Sequence, residues 1–116
     1  MSTINYKKYG MSRNRYQELS AFARQYSELK QKRTDLLSDL KNVEENAIKA
    51  AEIKTKIELI EECVNDSCSD VPIVAKYLLK NVTEGTAYER MNVPLYKAGF
   101  LLRRKLFFIE LNKRKK

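Results

Sequence analysis

Between Arg13 and Val64 the chain contains neither glycine nor proline. Nothing in that stretch forces the backbone out of a helix. Its apolar residues recur at three-four spacing: Leu19, Phe22, Tyr26, Leu29, Leu36, Leu40, Val43, Ala47, Ala50 and Ile57. Only Arg33 and Lys54 interrupt this seam. The pattern predicts helix of coiled-coil character. A single helix over 13–64 would run about 78 Å at ~1.5 Å per residue. A hairpin is the other solution, and it is favoured because two seams then cover each other within one chain. The break is expected in "LKNVEENA". Asn42 followed by Glu45 reads as a capping box, and Asn46 is a second stop signal. Past this point the apolar phase moves to Ile53, Ile57, Ile60 and Val64.

Glycine (three) and proline (two) are scarce throughout, while 43% of the residues are hydrophobic. The expected class is all-α: an N-terminal long helix or helical hairpin, coiled-coil-like, plus a C-terminal three-helix helix-turn-helix. The chain divides into a flexible basic lead-in at 1–11, the hairpin or coiled-coil region at 12–65, a helix-turn-helix domain at 70–112 and a basic tail at 113–116. Ser12 is the expected N-cap of the first helix. In the C-terminal part, Asp70 is expected to cap a helix with Pro72 in its first turn, with Ile73, Val74, Tyr77 and Leu78 inward. "NVTEG" ends that helix, Thr86 caps a short helix "AYERM", and "NVP" turns the chain. The last helix is expected from about Leu95 to Leu111.

No apolar run reaches the ~18 residues of a membrane span, and the N-terminus carries no signal-peptide block, so the expectation is a cytoplasmic protein with no membrane partner. The sequence has no histidine and two cysteines, Cys63 and Cys68. Zinc needs about four N or S ligands, so no metal or cofactor is expected, and the thiols read as reduced. The commonest general base is missing, and Lys, Glu, Tyr and Cys form no recognisable constellation. The chain reads as a binding protein, not an enzyme.

The net charge of +8 is unevenly distributed. Residues 1–34 carry eight Lys/Arg against two Asp/Glu, residues 35–96 seven against twelve, and residues 97–116 eight against one. Basic ends around an acidic middle suggest a polyanion, and double-stranded DNA is the usual one. In a helix-turn-helix the second helix of the pair enters the major groove. On a helical wheel the last helix has one apolar stripe of Leu95, Ala98, Leu102, Leu106 and Ile109. A second holds Tyr96, Phe100, Phe107 and Leu111. One can close the local core; the other must meet the N-terminal helices or a second subunit. Lys97 and Arg104 lie between the stripes and are the foremost DNA contacts, with Tyr96 at the helix start. Arg103 lies elsewhere, close to Glu110, and completes the candidate set with Lys105, Lys113, Arg114, Lys115 and Lys116. Gly99 costs about 1 kcal/mol inside a helix, so a close approach there is expected.

The segments "YLLKNVTEGTAYERMNVPLYKAGFLLRRKLFFIEL" and "YGMSRNRYQELSAFARQYSEL" resemble small proteins of phages and prophages of low-GC Gram-positive bacteria. That group is related to the ArpU/RinA late-operon transcription regulators. The resemblance implies a helix-turn-helix similar to region four of sigma factors, and promoter binding that switches on late genes. It assigns Thr86 to Met91 as supporting helix, Asn92 to Pro94 as turn and Leu95 to Lys105 as recognition helix. This chain lacks the Ser/Thr pair common at the start of that helix and the Gly-rich linker of the middle. The N-terminal helices would set a homodimer, with host RNA polymerase or another host protein as a further partner. Two other functions fit the pattern. One is a small terminase subunit for DNA packaging. The other is a helical adaptor or inhibitor that binds a host protein along the 19–57 seam without touching DNA.

Overall fold

The computed structural model describes residues 9–116, and among them every regular element is helical. Five α-helices follow in order: α1 Arg13–Arg24, α2 Tyr26–Ser38, α3 Val43–Ser67, α4 Ala75–Glu84 and α5 Lys97–Arg114. Residues 1–8, most of the expected lead-in, lie outside the described residues.

The long glycine-free stretch is broken twice: at Gln25, between α1 and α2, which the sequence pattern did not signal, and at residues 39–42, where α2 folds back on α3 as a hairpin. Ser12 caps α1 as expected, its hydroxyl accepting from the Arg15 N–H at 3.2 Å. The turn between α2 and α3 works differently from the expected capping box. Asn42 occupies the N-cap position of α3 but makes no side-chain cap bond. Asp39 does the work. Its Oδ1 accepts from the Lys41 N–H at 2.9 Å and its Oδ2 from Asn46 Nδ2 at 3.1 Å. A short carboxylate thus offers the backbone an alternative to continuing the helix. Asn46 stops nothing; it is buried in the first turns of α3 and anchors this bond.

The shifted phase of α3 is the buried one: Ile53, Ile57, Ile60 and Val64 all face inward. On the other side of the hairpin the seam closes at Leu19, Phe22 and Tyr26, is partly covered at Leu29 and Leu36, and opens at Leu40. The molecule is elongated, 50 × 31 × 27 Å, with α2 and the start of α3 forming an arm.

At the other end one core joins the N- and C-terminal regions. Phe100, Phe107, Phe108 and Leu111 of α5 are buried among Tyr16 and Leu19 of α1, Ile60 and Cys63 of α3, and Leu78 and Val82 of α4. Aromatic rings fill the α1–α5 contact. The Tyr16 and Phe108 centroids lie 4.8 Å apart, Phe107 and Phe108 5.0 Å, and Tyr9 and Tyr16 5.2 Å. Full burial of such a side chain contributes about 1.5–3 kcal/mol, so α5 is held chiefly by these rings.

Several local expectations change. Pro72–Val74 is a 3₁₀ turn leading into α4, and Asp70 caps nothing but pairs with Arg103. Ile73 is 62% exposed instead of inward. Gly85 ends α4 in the left-handed region at φ 75°, where a Cβ is unfavourable. The expected supporting helix at Thr86–Met91 is a single 3₁₀ turn, Tyr88–Arg90, with Ala87 and not Thr86 before it. Its Tyr88 ring stacks on Phe100 at 5.4 Å, which ties the loop to α5. The final helix starts and ends later than expected, at Lys97 and Arg114.

Candidate nucleic-acid interface

The candidate cations of α5 do not form one strip. Each half of the helix is laced to the elements beside it. Lys97 Nζ bonds Glu89 of the 3₁₀ turn. That contact raises the lysine and lowers the carboxyl from their ordinary values, both groups being open to solvent. Arg103 donates to Gly99 O at 3.1 Å and to Asp70 in the α3–α4 linker. Its side chain is only 12% exposed, so this guanidinium is held against the protein by its own chain. Arg104 Nε donates to Asn81 Oδ1 of α4 at 3.0 Å, and the guanidinium sits 5.0 Å from the Phe108 ring centroid. Asn81 in turn donates from Nδ2 to Thr86 O at 2.9 Å, so one amide joins α4, the loop and α5.

At the far end Arg114 pairs with Asp66 and with Glu110 at 3.2 Å, and the bond to Asp66 raises its pKa further. Lys115 lies over the Phe22 ring at 4.9 Å and 3.9 Å from Glu18, while its carbonyl accepts from Arg15. Lys113 reaches Glu110 at 3.5 Å. Of the cations, Arg104, Lys105 and Lys116 have no carboxylate partner among the described residues, Arg104 being held by the Asn81 amide instead. Tyr96 is 70% exposed at the helix start. The close approach at Gly99 comes from within the chain. An added Cβ would stand 3.0 Å from the Tyr96 ring and 3.3 Å from a Leu95 methyl.

The two expected apolar stripes of α5 separate only in part: Tyr96 of the second is exposed, and Leu95 and Ile109 of the first are half-buried. Phe100, Phe107 and Leu111 are buried. Ala98, Leu101, Leu102 and Leu106 face outward, the leucines being 46%, 48% and 39% exposed. The outward arc therefore presents leucine methyls and Lys105 where a recognition helix would present hydrogen-bonding side chains.

A second group of cations, outside the candidate set, converges elsewhere. Lys30 of α2 and Lys76 and Lys80 of α4 line a cleft of about 340 Å³ floored by Tyr26, Leu79 and Thr83. None of the three lies within ion-pair distance of a carboxylate among the described residues. Glu84 borders the same cleft. Lys30 stands 5.2 Å from the Tyr26 ring centroid and Lys76 5.1 Å from that of Tyr77. These aromatic contacts hold the stems without neutralising the charge. The Tyr26 hydroxyl donates to Glu61 at 2.6 Å, and burial together with that carboxylate raises its pKa, so it stays a donor. Lysines on different helices, spaced in sequence by 46 residues from Lys30 to Lys76, give no local motif. The signal within reach of the sequence was the i, i+4 pair Lys76 and Lys80.

Compared with protein-family models, curated proteins and solved structures, the chain matches none at a significant level. Cys63 and Cys68 are both free and buried, and burial pushes each thiol up to about 11. No group of three or more metal-ligating side chains occurs among the described residues, and no helix there is long and apolar enough to cross a membrane.

Proposed function

We propose that this protein is a DNA-binding regulatory protein that grips the duplex by its phosphate backbone. The observation that carries the reading is the convergence of Lys30, Lys76 and Lys80, without carboxylate partners among the described residues, on one cleft between α2 and α4. Lys76 and Lys80 stand one turn apart, about 6 Å along the helix axis, and both project toward the same side. Phosphates need positive charge that is not already paired; most of the α5 cations are paired, whereas the three cleft lysines form no ion pair although Glu84 borders the cleft. In this reading α5 is the packing helix that completes the core. Its Lys105 and Lys116 add long-range attraction, and base-edge readout is weak. The phage-regulator role implied by the resemblance supplies the setting: a small basic protein that engages promoter DNA and carries no chemistry of its own.

Fluorescence anisotropy with labelled duplex across a fourfold range of salt tests this. Each phosphate contact contributes about 0.9 to the slope of log affinity against log salt. Replacing Lys30, Lys76 and Lys80 together by glutamine is expected to flatten that slope by about 2.7. Replacing Lys97, Arg103 and Arg114 is expected to leave it nearly unchanged. The reverse pattern would return the interface to α5.

A further inference from the structure

Among the described residues two groups of neighbouring exposed apolar side chains stand out, one at the turn between α2 and α3 and one on α5, and they are of opposite charge. One is the tip of the arm, where Leu37, Leu40 and Val43 are 52%, 86% and 60% exposed around the Asp39–Asn42 turn. Four carboxylates, Asp35, Asp39, Glu44 and Glu45, lie in and beside the turn against two lysines, Lys41 and Lys49, the latter paired with Glu45 at 3.3 Å, so the tip keeps a net negative charge. The other is the outward face of α5, where Leu101, Leu102 and Leu106 are exposed. Lys105 and Lys113 fall on that same face at helical spacing, and the exposed Lys116 follows just beyond the end of α5. Exposed leucines grouped in this way mark contact surfaces.

We infer that the arm tip of one copy docks on the outward face of α5 of another. The charges select this pairing. A symmetric contact of α5 with α5 would set lysines against lysines. A symmetric contact of tip with tip would set carboxylates against carboxylates. Tip on α5 buries leucine against leucine within a rim of opposite charge, which favours the correct encounter and penalises the wrong ones. Such a contact is heterologous: each copy keeps a free tip or a free α5 face, so association continues until a ring closes or the chain of copies ends. The N-terminal hairpin thus mediates self-association through its tip and not through its seam, which is already closed against itself. This contact is independent of DNA.

The test uses two variants at exposed positions, Leu40→Glu and Leu102→Glu, after circular dichroism confirms wild-type helicity for both. Sedimentation velocity is run without DNA. The wild-type protein is expected to rise in mass above 13.6 kDa as concentration increases, and to fall back when salt is raised. Each variant alone is expected to stay at the mass of one chain, since it lacks one half of every contact. An equimolar mixture is expected to settle at two chains, because the intact tip of one variant meets the intact α5 of the other and no further contact can form. Wild-type protein that stays at one chain up to millimolar concentration would overturn the inference. So would association that survives in either variant alone, which is the mark of a symmetric contact. A mixture that remains at one chain while the wild type associates would overturn it as well.

Discussion

Replacing Arg104 by alanine separates a packing α5 from a recognition α5. The guanidinium makes a charged hydrogen bond, 3.0 Å from Nε to Asn81 Oδ1, a ring contact, 5.0 Å to Phe108, and a further polar contact with the Tyr9 hydroxyl. A hydrogen bond to a charged group contributes about 1.5–3 kcal/mol. Arg104 is only half-buried, so the lower end applies, about 1.5 kcal/mol. The ring contact adds about 0.5 kcal/mol. With the Asn81 bond and the ring contact alone the expected loss is about 2 kcal/mol, and with a urea slope of about 1.5 kcal/mol per molar it lowers the midpoint by at least about 1.3 M. Arg104→Lys keeps the charge but loses the planar donor at Nε, so it is expected to recover little stability. In a double-mutant cycle, Asn81→Ala and Arg104→Ala are expected to couple by about 1 kcal/mol. The assay is urea unfolding followed by circular dichroism, with duplex affinity measured on the same samples where they are folded. Affinity per folded molecule is expected to stay within about twofold of wild type, a change of about 0.4 kcal/mol. The reasoning fails if Arg104→Ala unfolds with the wild type but loses duplex affinity, and Arg104→Lys restores it. That outcome would make the guanidinium a phosphate ligand and α5 the interface.

Phe107→Ala, at a fully buried position, is expected to cost about 3–5 kcal/mol in the same urea assay. A cost below 1 kcal/mol would mean that α5 is not seated in the core. Gly85→Ala is expected to cost about 1–2 kcal/mol because φ 75° is left-handed, while Gly85→Asn is expected to cost less. An added Cβ there would also stand 2.5 Å from the Arg24 guanidinium, which must swing away. The two thiols give a pH dependence with a defined sign. Each is raised from 9.0 to about 11 in the folded chain, so the unfolded chain releases its protons first. Their contribution is complete below pH 9.0 and is lost as pH rises through about 11. Urea midpoints that rise across this alkaline window in wild type, or that fall equally in a Cys63→Ala, Cys68→Ala double variant, would contradict the assignment. Buried thiols are also expected to react with a thiol reagent much more slowly than the urea-unfolded chain does.

Local chemistry made the helices legible from sequence. A stretch without glycine or proline and with three-four spacing has few folds other than helix. Ser12 opens that stretch and Gly85 ends α4 through backbone bonds and φ values that depend on near neighbours. The hairpin was legible for the same reason, since the apolar phase shift at Ile53 requires a change of partner. The place of the turn and Asn42 as N-cap position were legible, but not the bond that fixes the turn, because Asp39 and Asn46 bond across seven residues, which no capping pattern encodes. What only the tertiary structure decided is the direction in which α5 turns. Both of its stripes are apolar, and the choice fell to the one whose phenylalanines fill the space left by Tyr16, Ile60 and Leu78. Once that face turned inward, Arg103 and Arg114 met Asp70 and Asp66, residues 33 and 48 positions away. Local spacing could show that α5 is cationic. Whether a cation is spent on a carboxylate of its own chain depends on which distant elements pack beside it, and that is settled only when the core closes.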